Sequence, residues 1–198
     1  MRLILLHGWG ASGADLLPVG EALGQLLAAD LASRSLRPLE LRPLEAPDAH
    51  PAGAGARQWY DLNQPGWPQR PVAVRALGER LDRELAAAGE EPVVVLGFSQ
   101  GAAMALEVAL TRPVAAVIAF SGYPHPGWQP QGPGLAPLLL CHGRRDPVVP
   151  ITAQAEIQRL VTAAGGEVQV EIFEGEHTIP PEGLLAAASF LRGLGLQT

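Results

Sequence analysis

Three residues far apart in the chain have the types and settings that nucleophilic acyl transfer needs: Ser99, Asp146 and His177. Ser99 lies in Gly97-Phe98-Ser99-Gln100-Gly101, directly after the apolar run Val93 to Leu96 and directly before the helix-like stretch Ala102 to Leu110. A serine at such a strand-to-helix corner adopts a strained backbone conformation. Its small neighbours leave it room, and its hydroxyl is presented outward. The same corner brings the first N–H groups of the helix close to the reacting carbon, where they stabilise a developing oxyanion. Such a serine still needs a base to take its proton and an acid to fix the tautomer of that base. Asp146 occupies the turn His142-Gly143-Arg144-Arg145-Asp146-Pro147-Val148-Val149-Pro150, after the run Leu138 to Cys141. His177 lies in Gly175-Glu176-His177-Thr178, after the last strand-like run and before the final helix. Serine, acid and histidine in that order, each on a loop after a strand, form one established arrangement of this chemistry. Singly, each has an ordinary explanation as a turn serine, an Asx turn or a solvated histidine. Their joint occurrence in order points to a serine nucleophile.

These residues meet only if the strands before them are parallel, because the carboxyl ends of parallel strands open on one edge of the sheet. The sequence predicts that arrangement. Short apolar runs at Leu3 to Leu6, Leu36 to Leu41 (the weakest), Val93 to Leu96, Ala116 to Phe120, Leu138 to Cys141 and Val168 to Phe173 read as buried strands. Between them, helical spacing links Leu16, Leu23 and Leu27, then Leu77, Leu81 and Leu85, then Ile157, Leu160 and Val161, then Leu184, Leu185 and Leu191. The expected fold class is α/β, a mostly parallel sheet with helices on both faces, in one domain over 1–198. Glu45 to Pro71 and Gly122 to Pro137 are dense in proline and glycine and read as loops over the site, too short for a separate lid domain.

Composition narrows the function. With 47% hydrophobic and 17% charged residues the chain has the makeup of a globular protein, and its net charge of −6 offers no basic surface for nucleic acid. Cys141 is the single cysteine and is expected to be a buried apolar residue, which leaves no internal disulfide and no cysteine metal cluster. The opening apolar run is too short for a signal peptide, and a cytoplasmic protein without a membrane span is expected. Of the other histidines, His7 and His142 end strands, His7 shaping its adjacent loop, while His50 and His125 fall in proline-rich loops and are expected at the surface. Ser121 also follows a strand, but it lacks the preceding glycine and the following helix. The exposed apolar area expected of Trp59, Trp67 and Trp128 would serve substrate binding, a dimer contact or neither, which leaves monomer and homodimer both open. A rival reading comes from Gly8, Gly10 and Gly13, which match G-x-G-x-x-G after a strand. A dinucleotide site would want an acidic residue ending the second strand about twenty positions on. Asp30 ends a helix instead, and Glu40 is too distant. In a serine hydrolase the same loop has another use: the Trp9 N–H pairs with the Gln100 N–H as an oxyanion hole.

With these residues assembled, the chain resembles the phospholipase/carboxylesterase family of α/β-hydrolases, which includes bacterial carboxylesterases and acyl-protein thioesterases. The likeness spans nearly the whole sequence. It rests on Leu5-Leu6-His7-Gly8-Trp9-Gly10, Trp59-Tyr60-Asp61, the Ser99 pentapeptide, the His142 to Pro150 segment and Glu176-His177-Thr178-Ile179. The resemblance implies Ser99 as nucleophile, His177 as general acid/base and Asp146 as its orienting carboxylate, with Leu62, Tyr123 and Val148 lining an acyl pocket. The expected activity is hydrolysis of esters or thioesters through an acyl-serine intermediate, which needs neither metal nor cofactor; without a lid domain the site is expected to be open, which suits short or medium acyl chains and acyl groups presented by a larger molecule such as a protein. The chain departs from the family pattern in Gly10-Ala11-Ser12-Gly13, where Gly-Asp-Thr-Gly is usual, and in Gly101-Ala102, where two glycines are usual. A binding module that keeps the fold without catalysis is the other reading, and three intact candidate residues argue against it.

Overall fold

The computed structural model describes residues 1–33, 38–132 and 134–195. Six strands form a parallel sheet: β1 (Arg2–Leu6), β2 (Glu40–Leu44), β5 (Val93–Phe98), β6 (Ala116–Phe120), β7 (Leu138–Gly143) and β8 (Val168–Phe173). Their order across the sheet is β2-β1-β5-β6-β7-β8. A two-stranded hairpin of β3 (Asp48–Ala49) and β4 (Arg57–Gln58) interrupts the first expected loop. Five helices are described: α1 (Leu17–Ser33), α2 (Arg70–Ala88), α3 (Gln100–Val108), α4 (Thr152–Ala163) and α5 (Pro181–Gly193).

Strand side chains alternate between two apolar layers, as the pleat requires. Ile4, Leu6, Val95, Val117 and Leu140 pack under α2, α3 and α4 with Leu77, Leu81, Met104, Ile157 and Val161. Leu3, Leu5, Leu96, Ile118 and Cys141 face α1 and α5 with Leu23, Leu27, Ala187, Ala188 and Leu191. Each buried leucine contributes about 1.5–3 kcal/mol, so the four central strands are the rigid part of the molecule.

Three local expectations change. The second strand runs over Glu40–Leu44, later than expected, and residues 36 and 37 of the expected span lie outside the described residues. Leu16 belongs to a short 3-10 turn before α1, not to the helix. On α5, Leu185 is 55% exposed, and the buried face is Gly183, Ala187, Ala188, Phe190 and Leu191. The cause is close approach: a Cβ on Gly183 would stand 2.7 Å from the Phe120 ring. Small residues therefore form that contact where leucine spacing pointed to a larger one. Among the described residues, no helix is long and apolar enough to cross a membrane.

Candidate active site

β5 ends in Phe98, and Ser99 turns the chain into α3 with φ 54° and ψ −118°, a left-handed conformation that costs a non-glycine residue about 1–3 kcal/mol. Its surroundings enforce the corner. The Ser99 N–H donates to Phe120 O at 2.9 Å, and a Cβ at Gly97 would lie 2.5 Å from Gly101 O. At Gly101 a Cβ would lie 2.0 Å from Leu6 O, so helix α3 starts pressed against the end of β1. Only glycine permits either approach.

The Gln100 side chain, fully buried, clamps a neighbouring loop to this corner: its Oε1 accepts from the Trp59 N–H at 3.0 Å and its Nε2 donates to Tyr60 O at 2.7 Å. The Trp59 indole donates to His7 O at 2.9 Å. Trp59 is therefore buried, which corrects the expectation of exposed apolar area there. Trp67 and Trp128 are half-buried against the core. Neither the backbone N–H of Gln100 nor that of Trp9 has a hydrogen-bond acceptor among the described residues. The first loop is held by Gly10 N–H to Arg57 O at 2.8 Å and by Gly13 N–H to Glu45 Oε2 at 2.9 Å. Within the stretch that departs from the family pattern, Ser12 N–H donates to Asp15 Oδ2 at 2.6 Å. The Glu45 carboxylate thus occupies a donor that a dinucleotide phosphate would need, which disfavours the rival reading.

Asp146 and His177 form a tight pair. His177 Nδ1 donates to Asp146 Oδ2 at 2.7 Å, and Asp146 Oδ1 accepts the N–H groups of Val148 and Val149 at 2.9 and 2.8 Å. Burial works against charge on this carboxyl. The bonds from His177, Val149 and Val148 together with the nearby Ser121 hydroxyl outweigh it, so the pKa lies below the usual carboxylate value. The Ser121 hydroxyl itself is buried without a hydrogen bond of regular geometry. Two backbone bonds tie the acid loop to the histidine loop: Arg144 N–H to Phe173 O and Arg145 N–H to Gly175 O, each 2.9 Å. Gly143 makes this approach possible, since a Cβ there would stand 2.3 Å from Glu176 O. The His177 ring lies 4.8 Å from the Phe98 ring, one residue from Ser99. The Ser99 hydroxyl has no hydrogen-bond partner among the described residues, a separation common before substrate tightens a site.

The remaining histidines divide differently from expectation. His7 is buried as a neutral connector, donating from Nδ1 to Gly8 O at 2.8 Å and accepting at Nε2 from Ala46 N–H at 3.0 Å. Burial lowers its pKa. His142 is buried and donates from Nε2 to Val149 O at 2.8 Å. His125 is not a surface residue: it is 3% exposed and bonded to Glu107 and Tyr60. A proline-rich loop hides it because its ring has two partners inside. His50 is half-buried, its ring 4.2 Å from that of Trp9 and perpendicular to it. Of the expected acyl-pocket residues, Leu62 packs against the core and Tyr123 bonds Tyr60, whereas Val148 is 65% exposed beside Asp146. Glu107, Tyr60 and the Gln100 amide escaped residue-by-residue reading, although Tyr60 stands inside one of the quoted motifs.

A parallel sheet with a strained serine corner after β5, and a carboxylate–histidine pair on the loops after β7 and β8, places the molecule among the α/β-hydrolases. Residues 1–194 match the model of the phospholipase/carboxylesterase family, and the chain belongs to that family of ester hydrolases. It is 29% identical to esterase YpfH of Escherichia coli over 96% of this chain and 81% of that protein. It is also 29% identical to acyl-protein thioesterase 1 of Eremothecium gossypii, over 96% and 86% of the two chains. Among solved structures, esterase PE8 superposes with a TM-score of 0.81 at 29% identity, covering 98% of this chain and 92% of that one.

Proposed function

We propose that the chain hydrolyses carboxylic esters or thioesters of short to medium acyl chains through an acyl-serine intermediate, as one cytoplasmic domain without a cofactor. Ser99 Oγ attacks the carbonyl carbon. His177 Nε2 takes its proton and returns it to the leaving alcohol or thiol, and Asp146 holds the Nδ1–H tautomer and stabilises the imidazolium. Water then repeats the sequence on the acyl-enzyme. The Trp9 and Gln100 N–H groups receive the oxyanion, and Leu62, Tyr123 and Val148 contact the acyl group. The observation that carries this reading is the 2.7 Å Asp146–His177 bond, standing beside a serine held at φ 54° by glycines on both sides. The likeness to a thioesterase as well as to esterases supports including thioesters, free or on a protein.

The test is intact mass after incubation with a fluorophosphonate probe. A single adduct on the parent chain, absent from Ser99→Ala and at least about 10³-fold slower in His177→Ala, is expected. No adduct on folded parent would overturn the mechanism.

A further inference from the structure

A second carboxylate–imidazole pair lies under the loops around the site. Glu107, near the end of α3, meets His125 Nδ1, and His125 Nε2 is 2.7 Å from the Tyr60 hydroxyl. That hydroxyl is 2.8 Å from the hydroxyl of Tyr123. Tyr60 and His125 are buried, while Tyr123 keeps part of its surface. The rings of Trp67, Tyr60, Tyr123 and His125 pack at centroid distances of 5.4 to 6.1 Å. This wall is anchored to the serine corner at both ends. Tyr60 O accepts from the Gln100 side chain at 2.7 Å, and Tyr123 lies three residues beyond Phe120, whose carbonyl accepts the Ser99 N–H.

A proton inventory gives the chain a direction. Burial opposes charge on Glu107, but the hydrogen bond to His125, with the Arg70 guanidinium nearby, outweighs it and lowers its pKa. Burial pushes the Tyr60 phenol up and the Tyr123 phenol up to about 12, so each keeps its single O–H. An ionised carboxylate only accepts, so where the His125 ring is neutral it fixes the Nδ1–H tautomer and leaves Nε2 as acceptor. The Tyr60 proton is then spent on Nε2 and the Tyr123 proton on the Tyr60 oxygen. The series ends in the lone pairs of Tyr123. Packing alone does not call for it, since phenylalanines would fill the space with no buried polar groups to satisfy.

We infer that Glu107, His125 and Tyr60 form a relay that fixes the Tyr123 hydroxyl as a hydrogen-bond acceptor on the acyl-binding wall, so that acyl groups bearing a hydroxyl are preferred to plain alkyl ones. The inference rests on the serine-hydrolase reading above. Tyr123 touches substrate, and the other three are positioning residues.

The experiment compares N-acetylcysteamine thioesters of hexanoic, 3-hydroxyhexanoic, 6-hydroxyhexanoic and 3-methoxyhexanoic acids, following the released thiol. One of the hydroxy acids is expected to exceed hexanoyl in kcat/KM by about tenfold, and the methoxy acid, which has no donor, is not. Tyr123→Phe, which removes one oxygen, should bring that ratio close to one. Glu107→Gln should lower it about threefold, because the amide no longer dictates the tautomer, with hexanoyl as internal reference. A purely structural role would depress both substrates alike, and that outcome overturns the relay. So does a parent without the preference, or a ratio unchanged in Tyr123→Phe. Fluorophosphonate labelling of Ser99 in the parent without any such preference, or without turnover, overturns this inference alone. No labelling removes the serine-hydrolase reading with it.

Discussion

Among the described residues two carboxylates hydrogen-bond a histidine ring, and the surroundings of the two pairs differ. Asp146 and His177 sit on loops that leave the sheet at its carboxyl edge, with His177 partly exposed beside the Ser99 corner. Glu107 and His125 join a helix to a proline-rich loop, and the His125 ring is enclosed between Glu107 and Tyr60. The first pair has one nitrogen uncommitted, and the second has none. An imidazole can exchange protons with substrate only when one nitrogen faces the reacting atoms. The same two side-chain types therefore leave an imidazole nitrogen free in one place and enclose both nitrogens in the other.

Substitution should separate the two pairs most sharply in rate. His177→Ala should slow ester hydrolysis by about 10⁴-fold, whereas His125→Ala should slow hydrolysis of plain alkyl esters by less than about tenfold; steady-state kinetics on p-nitrophenyl butyrate would show it. Comparable losses in both variants would erase the distinction. Next in size is Gly143→Ala, whose added methyl must displace the Glu176 carbonyl next to His177. Ser99 labelling should fall about 10²-fold, since misplacement of about 1 Å costs that much. An unaffected rate would show that the histidine loop is not held by this contact. In stability the ranking reverses: His125→Ala leaves the Glu107 carboxylate and the Tyr60 hydroxyl without their partner and should cost about 2–3 kcal/mol in urea unfolding. His177→Ala should cost less, about 1 kcal/mol, because Asp146 keeps the N–H bonds of Val148 and Val149.

Acid titration sharpens the comparison further. The native pKa of Asp146 lies below its ordinary 3.8, so between those values the unfolded chain binds more protons at this site. The stabilisation is complete above the ordinary value and disappears as pH falls through the native one. Asp146→Asn should therefore lose less stability than the parent between pH 5 and 3, and parallel acid slopes in the two proteins would contradict the assignment. The smallest effect belongs to the exposed Arg159–Glu156 pair on α4. Arg159→Ala should leave Tm unchanged within error by differential scanning calorimetry.

The difference between the pairs also explains what sequence reading found. Ser99, Asp146 and His177 follow apolar runs, and parallel topology sends the ends of all such runs to one edge, so order along the chain stood in for geometry. Val93 to Leu96 and Ala116 to Phe120 are buried on both faces and announce themselves by continuous apolar residues. Glu107 and His125 carry no such signal. Eighteen residues separate them, and only the packing of an irregular loop on α3 brings them together. For the same reason the sequence carries no sign of the two-stranded hairpin within the first proline-rich segment, and the spacing of Leu184, Leu185 and Leu191 marks α5 as a helix without marking its buried face. Close backbone approach at Gly183 and Gly143 depends on neighbours that local spacing does not encode.

Cys141 lies in the middle of β7, 1% exposed, and is the only cysteine of the chain. Burial, with a smaller contribution from Glu171, raises the pKa of its thiol and keeps it from forming the reactive thiolate. A thiol-detecting dye added to a thioester assay would therefore register product against a silent protein background. The same dye, with substrate left out, would report each opening of the central sheet as a slow colour change.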